Sequence, residues 1–141
     1  MKFYISILAS ILFVSCANPP PVDNTAKENL KEKNKETAAK NEIIKIINLA
    51  QQIEMQGRGL RLFREYPKAE SMRQCNLIVE EKRKQTADLE TRIKDLTEND
   101  INKLMPIIGE LNDCLSCAKD TLDNCKKARA SINQAIKETY P

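Results

Sequence analysis

Thr97 to Thr139 reads TENDINKLMPIIGELNDCLSCAKDTLDNCKKARASINQAIKET, and its apolar residues decide the fold. Ile101, Leu104, Ile108, Leu111, Leu115, Ala118, Leu122, Cys125, Ala128, Ile132 and Ala135 recur every three or four residues. That is the period of one helix face. Pro106 either kinks this helix or marks its true start, and Gly109 is a second weak point. Beyond them the pattern predicts one long helix to about Thr139.

The stretch before it repeats the logic. Cys75, Val79, Lys82, Thr86, Leu89, Ile93 and Leu96 keep a three-four spacing, predicting a helix from about Lys68 to Leu96. Lys82 interrupts that face, tolerably if its stem lies in the seam and its ammonium reaches water. Thr97, with Asp100 three residues on, has the order of a capping box in which Asp replaces Glu. The short connection makes the two helices an antiparallel hairpin. An earlier helix is read from Ile43, Ile46, Ile47, Ala50 and Ile53, with Ile44 and Leu49 widening its stripe. Gly57 and Gly59 weaken it, and Tyr66-Pro67 ends the element, because a residue before proline is pushed out of the helical region. The expected fold class is all-α: a small antiparallel three-helix bundle with a long helical hairpin, spanning residues 41–141. Long apolar seams would also allow closure by homodimerisation.

Composition agrees. The chain has 141 residues, no His, no Trp and three Gly, with a net charge of +3. Without His there is no Ser-His-Asp or Cys-His nucleophile system and no His-ligated zinc. No Gly-rich phosphate loop or nucleophile elbow is present. Pairs such as Glu80-Glu81 read as solvated surface. The expectation is a non-enzyme with no catalytic residue, no cofactor and no metal. The charge is too small to imply a nucleic-acid partner.

The N-terminus carries an address. Lys2 precedes an almost unbroken apolar run from Phe3 to Val14, too short to span a bilayer comfortably, which ends in Ser15-Cys16. Phe13-Val14-Ser15-Cys16 resembles the lipobox of bacterial lipoproteins, with Phe13 where Leu is usual. The resemblance implies a signal peptide over 1–15, cleavage before Cys16, and diacylglycerol and an acyl chain on Cys16, a palmitate-type anchor. The other reading is an ordinary signal peptide cleaved a few residues later, leaving Cys16 as a thiol. Two or more acyl chains anchor stably where one does not. Residues 16–40 then form a tether: Pro19, Pro20 and Pro21 favour a semi-rigid spacer, and Ala26 to Asn41 is either disordered or the solvated start of the first helix.

Cys75, Cys114, Cys117 and Cys125 lie beyond the export signal, where disulfides persist. In a continuous last helix, Cys114 and Cys125 stand roughly 16 Å apart along the axis and Cys117 and Cys125 roughly 12 Å. Both exceed the ~7 Å limit for a disulfide. In the hairpin Cys75 faces the region around Lys119, within reach of Cys117 or Cys125, and the full pairing that a straight helix permits is Cys75–Cys125 with Cys114–Cys117. A break near Asp120-Thr121 would permit Cys117–Cys125 with Cys75–Cys114. Structural staples are the plainest role; Cys114-Leu115-Ser116-Cys117 as a redox pair and a four-cysteine zinc site are the alternatives.

Arg58, Arg61, Arg64 (or Glu65) and Lys68 recur at helical spacing beside Leu62, Phe63 and Tyr66. If helical, they form a cationic stripe for an acidic protein, a sulfated or acidic glycan, or lipid headgroups; a solvated face is the plainer reading. Lys82-Arg83-Lys84 and Lys126-Lys127-Arg129 are locally balanced basic patches.

The signal, the polar tether and the Lys/Glu-rich helical domain together resemble the plasmid-type lipoproteins of Borrelia. Cys-Leu-Ser-Cys and Asn-Cys-Lys-Lys-Ala-Arg-Ala-Ser-Ile, within Cys114 to Ile132, are similar to one small family among them, the orf-D lipoproteins. The resemblance implies an outer-membrane, surface-exposed lipoprotein whose helical domain binds a partner, as some members of that wider group bind host proteins. It transfers no active-site residues. The alternative is a periplasm-facing lipoprotein of envelope assembly, pilotin-like, holding a peptide in a helical groove.

Overall fold

The computed structural model describes residues 24–117 and 120–140. The signal peptide, Cys16 and the proline run lie outside the described residues. Among the described residues there are five helices: α1 (Asn24–Gly59), α2 (Arg61–Glu65), α3 (Ala69–Lys94), α4 (Glu98–Cys114) and α5 (Leu122–Thr139). The fold is an all-α bundle in which α1, α3, α4 and α5 run up, down, up and down. Pairs that meet across it set those directions: Glu42 with Arg92, Thr86 with Asn112, and Lys103 with Glu138.

The three-helix expectation changes at both ends: α1 already begins at Asn24, inside the stretch 16–40 read as a tether, and the last helix is not continuous. The long last helix is divided, because α4 stops at Cys114 and α5 begins at Leu122. α5 folds back along α4 and also covers α1. Most of the face expected inside is inside: Leu104, Ile108, Leu111, Leu115, Cys125, Ala128, Ile132 and Ala135 are buried, Ile101 and Leu122 are half-buried, and Ala118 lies outside the described residues. Periodicity found the buried face and missed the turn.

α1 begins well before its packing does. Residues 31–38 are helical yet exposed, the solvated helix start rather than the disordered spacer. Lys, Glu and Ala give that stretch propensity without a face to bury. Burial sets in with half-buried Ala39, Glu42 and Ile43, then Ile46, Ile47, Ala50 and Ile53 are 1–2 % exposed. The break between α1 and α2 falls at Leu60, directly after Gly59, and Tyr66-Pro67 ends α2. On α3 the buried set is Cys75, Val79, Lys82, Thr86, Leu89 and Ile93, the face the spacing predicts. Lys82 Nζ reaches Glu81 at 2.9 Å, so the stem is buried while the charge is paired at the surface.

Thr97 caps α4: its hydroxyl accepts the Asp100 N–H at 3.3 Å and donates to Asp100 Oδ2 at 2.6 Å. Thr97→Ala is expected to cost about 1 kcal/mol, read from the urea midpoint at unchanged slope. Pro106 lies inside α4 with an exposed ring.

Glu42 ties α1 to α3 through Arg92, with Nη2 at 2.7 Å from its carboxylate. The Arg92 hydrogen bond holds the Glu42 carboxyl below its ordinary value of 4.5. Between the two values the unfolded chain binds more protons than the folded one. The pair therefore contributes stability above the ordinary value, and this is lost as pH falls through the lowered folded one. Arg92→Gln should cost less than about 1 kcal/mol at neutral pH and nearly nothing at about pH 2. An equal cost at both would remove Glu42 as the cause.

Candidate functional site

The end of the bundle where α1 stops and α4 turns into α5 concentrates the unusual chemistry. Cys75 is bonded to Cys117 and Cys114 to Cys125, with Cα separations of 6.0 and 4.6 Å. Neither pairing expected from a straight helix, nor the one allowed by a break at Asp120-Thr121, is the one formed. The helix stops at Cys114 itself, so the 16 Å separation of a continuous helix does not exist. Cys114 and Cys117 are not joined to each other, which removes the redox pair in this form. With Cys75, Cys114, Cys117 and Cys125 in disulfides, none of these four offers a thiolate to zinc. Among the described residues no other cluster suits a metal.

Leu115, Ser116, Asp120 and Thr121 are tied down from several sides. Arg64 Nη1 donates to the Ser116 carbonyl at 2.8 Å and Arg83 Nη2 to the Leu115 carbonyl at 3.3 Å. The buried Thr121 hydroxyl donates to the Cys114 carbonyl at 2.8 Å. Asp120 Oδ1 accepts the Leu122 N–H at 3.0 Å, satisfying one of the first donors of α5. Gly57 of α1 lies against this clamp. A Cβ at Gly57 would stand 2.5 Å from Cys114 Sγ.

The predicted cationic stripe does not form one face. α1 ends at Gly59, so Arg58 and the other three belong to different elements. Arg61 pairs with Glu65 at 2.9 Å. Arg64 turns inward, to Ser116 and toward Asp120. Lys68 is exposed, beyond Pro67 in extended backbone. Of their apolar neighbours, Leu62 and Tyr66 are 62 % and 71 % exposed, while Phe63 packs on the core.

Arg58 instead joins a group that sequence reading does not assemble. Its Nε lies 2.7 Å from Glu54 Oε1, and Arg129 Nε of α5 lies 3.3 Å from the same oxygen. The Glu54 side chain is only 5 % exposed. Its Oε1 and Arg58 Nε meet without a well-directed hydrogen bond, so that pair is a charge contact. Burial pushes the Glu54 carboxyl up, against the pull of Arg129. The available signal was an acid inside the buried stripe of α1, one residue after Ile53, with Arg58 four residues on. Arg129 gave none, because it belongs to a distant run of basic residues.

Between α1 and α5 a groove of about 280 Å³ opens over Glu54, Arg58 and Arg129. It continues into a second concavity, of about 360 Å³, that shares Met55 and Arg58 and reaches Leu62 and Leu122. A separate cleft of about 240 Å³ at the opposite end is lined by Ile43, Leu104 and Ala135 and crossed by the Lys103–Glu138 pair. The chain matches no protein-family model, no curated protein and no solved structure, so its own residues carry the reading of what it does.

Proposed function

We propose that the protein is a lipoprotein, lipidated at Cys16 and held in the outer membrane with its helical domain at the cell surface, where that domain serves as a non-enzymatic module that binds a partner. The observation that carries the reading is the pairing of all four domain cysteines in two disulfides. Such bonds persist in oxidising compartments, and the sequence before Cys16 has the order of an export signal. Among the described residues no helix is long and apolar enough to cross a membrane. Acyl chains on Cys16 would supply the attachment. The Lys/Asn-rich style of the chain, which resembles the Borrelia lipoproteins, supports the outer face.

The test has two parts. Cells fed radiolabelled palmitate should label the wild-type protein and not Cys16→Ala; labelling of both would sink the lipidation site. Protease added to intact cells should remove the helical domain while a periplasmic control survives. Protection of the domain until the outer membrane is opened would place it on the periplasmic side and overturn the surface role.

A further inference from the structure

We propose that the groove between α1 and α5 is the docking site, and that its partner is a polypeptide segment carrying a carboxylate next to an apolar side chain. The inference rests on the partner-binding reading above and names the partner's chemistry.

Charge is the first argument. Glu54 lies within 2.7 Å of Arg58 and 3.3 Å of Arg129, so one carboxylate is shared by two guanidiniums. The triad keeps one net positive charge at the groove wall. Glu54 is nearly enclosed, whereas the side chains of Arg58 and Arg129 are 36 % and 44 % exposed. Both guanidiniums are therefore oriented from behind, with donors left toward solvent. Arg58 meets Glu54 alone among the described residues, and so does Arg129. One incoming carboxylate would balance the group two against two, and arginine's planar fork suits it. Arg61 at the far end is already matched by Glu65 and adds little.

The second argument is the apolar surface that frames this charge. Met55 is 57 % exposed and Leu62 is 62 % exposed. Both line the concavity that contains Arg58, and Ile132 lines the part beneath Arg129. Flexible methionine beside a cationic anchor is a common design for a peptide surface. A sulfated glycan would ask for several unmatched cations and would leave Met55 and Leu62 unused. A bilayer would ask for a broad apolar face, which a trough between two helices does not offer. The combination fits an acidic, amphipathic peptide.

The experiment uses the mature, oxidised protein. A display library of random short peptides is selected against it, and the enriched peptides are synthesised with each Asp or Glu and again with Asn or Gln. Enrichment of peptides with an acid beside an apolar residue is expected, with about tenfold or more lost on the acid-to-amide change. Arg129→Gln should cause a similar loss, and the Arg side-chain N–H signals of Arg58 and Arg129 should shift on titration. Should Arg129→Gln fail to fold, Met55→Ser and Leu62→Ser decide the matter: both sites are surface-exposed, and each folded variant should weaken the acidic peptide. Selected peptides without acids, equal affinity of acid and amide forms, or unchanged affinity in the folded variants would overturn the proposal. So would preference for heparin oligosaccharide or phosphatidylglycerol vesicles over every peptide. None of these results depends on which membrane face carries the domain, so failure here is separable from failure of the surface assignment.

Discussion

Replacing Cys75 and Cys117 together with alanine is expected to lower the unfolding free energy by about 4 kcal/mol, against about 3 kcal/mol for replacing Cys114 and Cys125. The order follows from the closed loops, whose ends are 42 and 11 residues apart in sequence. A longer loop removes more freedom from the unfolded chain. The shorter bond has a second role, since it fixes the point where α4 gives way to the turn. Its loss should also raise hydrogen exchange across residues 115–121, while loss of the longer bond should be felt chiefly as global stability. Urea unfolding of the two double variants, with exchange measured on each, separates the roles. The reverse order of stability would mean that native-state strain, not loop closure, governs.

The pairing itself can be read by mass. Trypsin leaves Cys75 on the peptide Gln74 to Lys82, Cys114 and Cys117 together on Leu104 to Lys119, and Cys125 on Asp120 to Lys126. The bonds seen here join all three peptides. Cys75–Cys125 with Cys114–Cys117 would release the middle peptide by itself. Cleavage after Leu115 then divides Cys114 from Cys117 and excludes the remaining alternative.

The hairpin, the Thr97 cap and the buried face of α3 were legible because each is local: a repeat of three or four, a hydroxyl before an acid, a proline after a tyrosine. The division between α4 and α5 was not. Leu115, Ala118 and Leu122 keep the helical spacing straight through it, so the apolar pattern stays in phase on both sides. Length held the missing clue. A helix from Glu98 to Thr139 would run about 63 Å, whereas the 26 residues of α3 span about 39 Å. The excess would have carried an apolar face with nothing to cover it, and folding back against α1 and α4 buries that face. The groove was hidden for a related reason. Glu54 and Arg129 are 75 residues apart in sequence, and no local spacing reports that their helices are neighbours. Arg58, by contrast, was visible, but as part of a stripe that the end of α1 at Gly59 takes apart.

Gly57→Ala should destabilise the oxidised protein, although alanine is the better helix former. The added Cβ would stand 2.5 Å from Cys114 Sγ, with the Cys114 carbonyl and Leu115 Cδ2 at 3.5 and 3.6 Å behind it. A free side chain could rotate away. This sulfur is bonded to Cys125, whose Cα is 4.6 Å from that of Cys114, so it moves only if a helix moves with it. Overpacking of that kind costs about 1–3 kcal/mol, more than the roughly 1 kcal/mol of helix propensity regained. Gly109→Ala provides the contrast: nothing lies within 4 Å of its added Cβ, so propensity alone acts and a gain of up to about 1 kcal/mol is expected. The decisive comparison repeats Gly57→Ala in a Cys114→Ala, Cys125→Ala background. With the sulfur gone the obstruction goes too, and the same substitution should become neutral or favourable. That change of sign is a coupling energy between α1 and the disulfide, measurable by a double-mutant cycle on urea midpoints. An equal loss in both backgrounds would show that Gly57 is required by the helix itself rather than by the clamp it lies against.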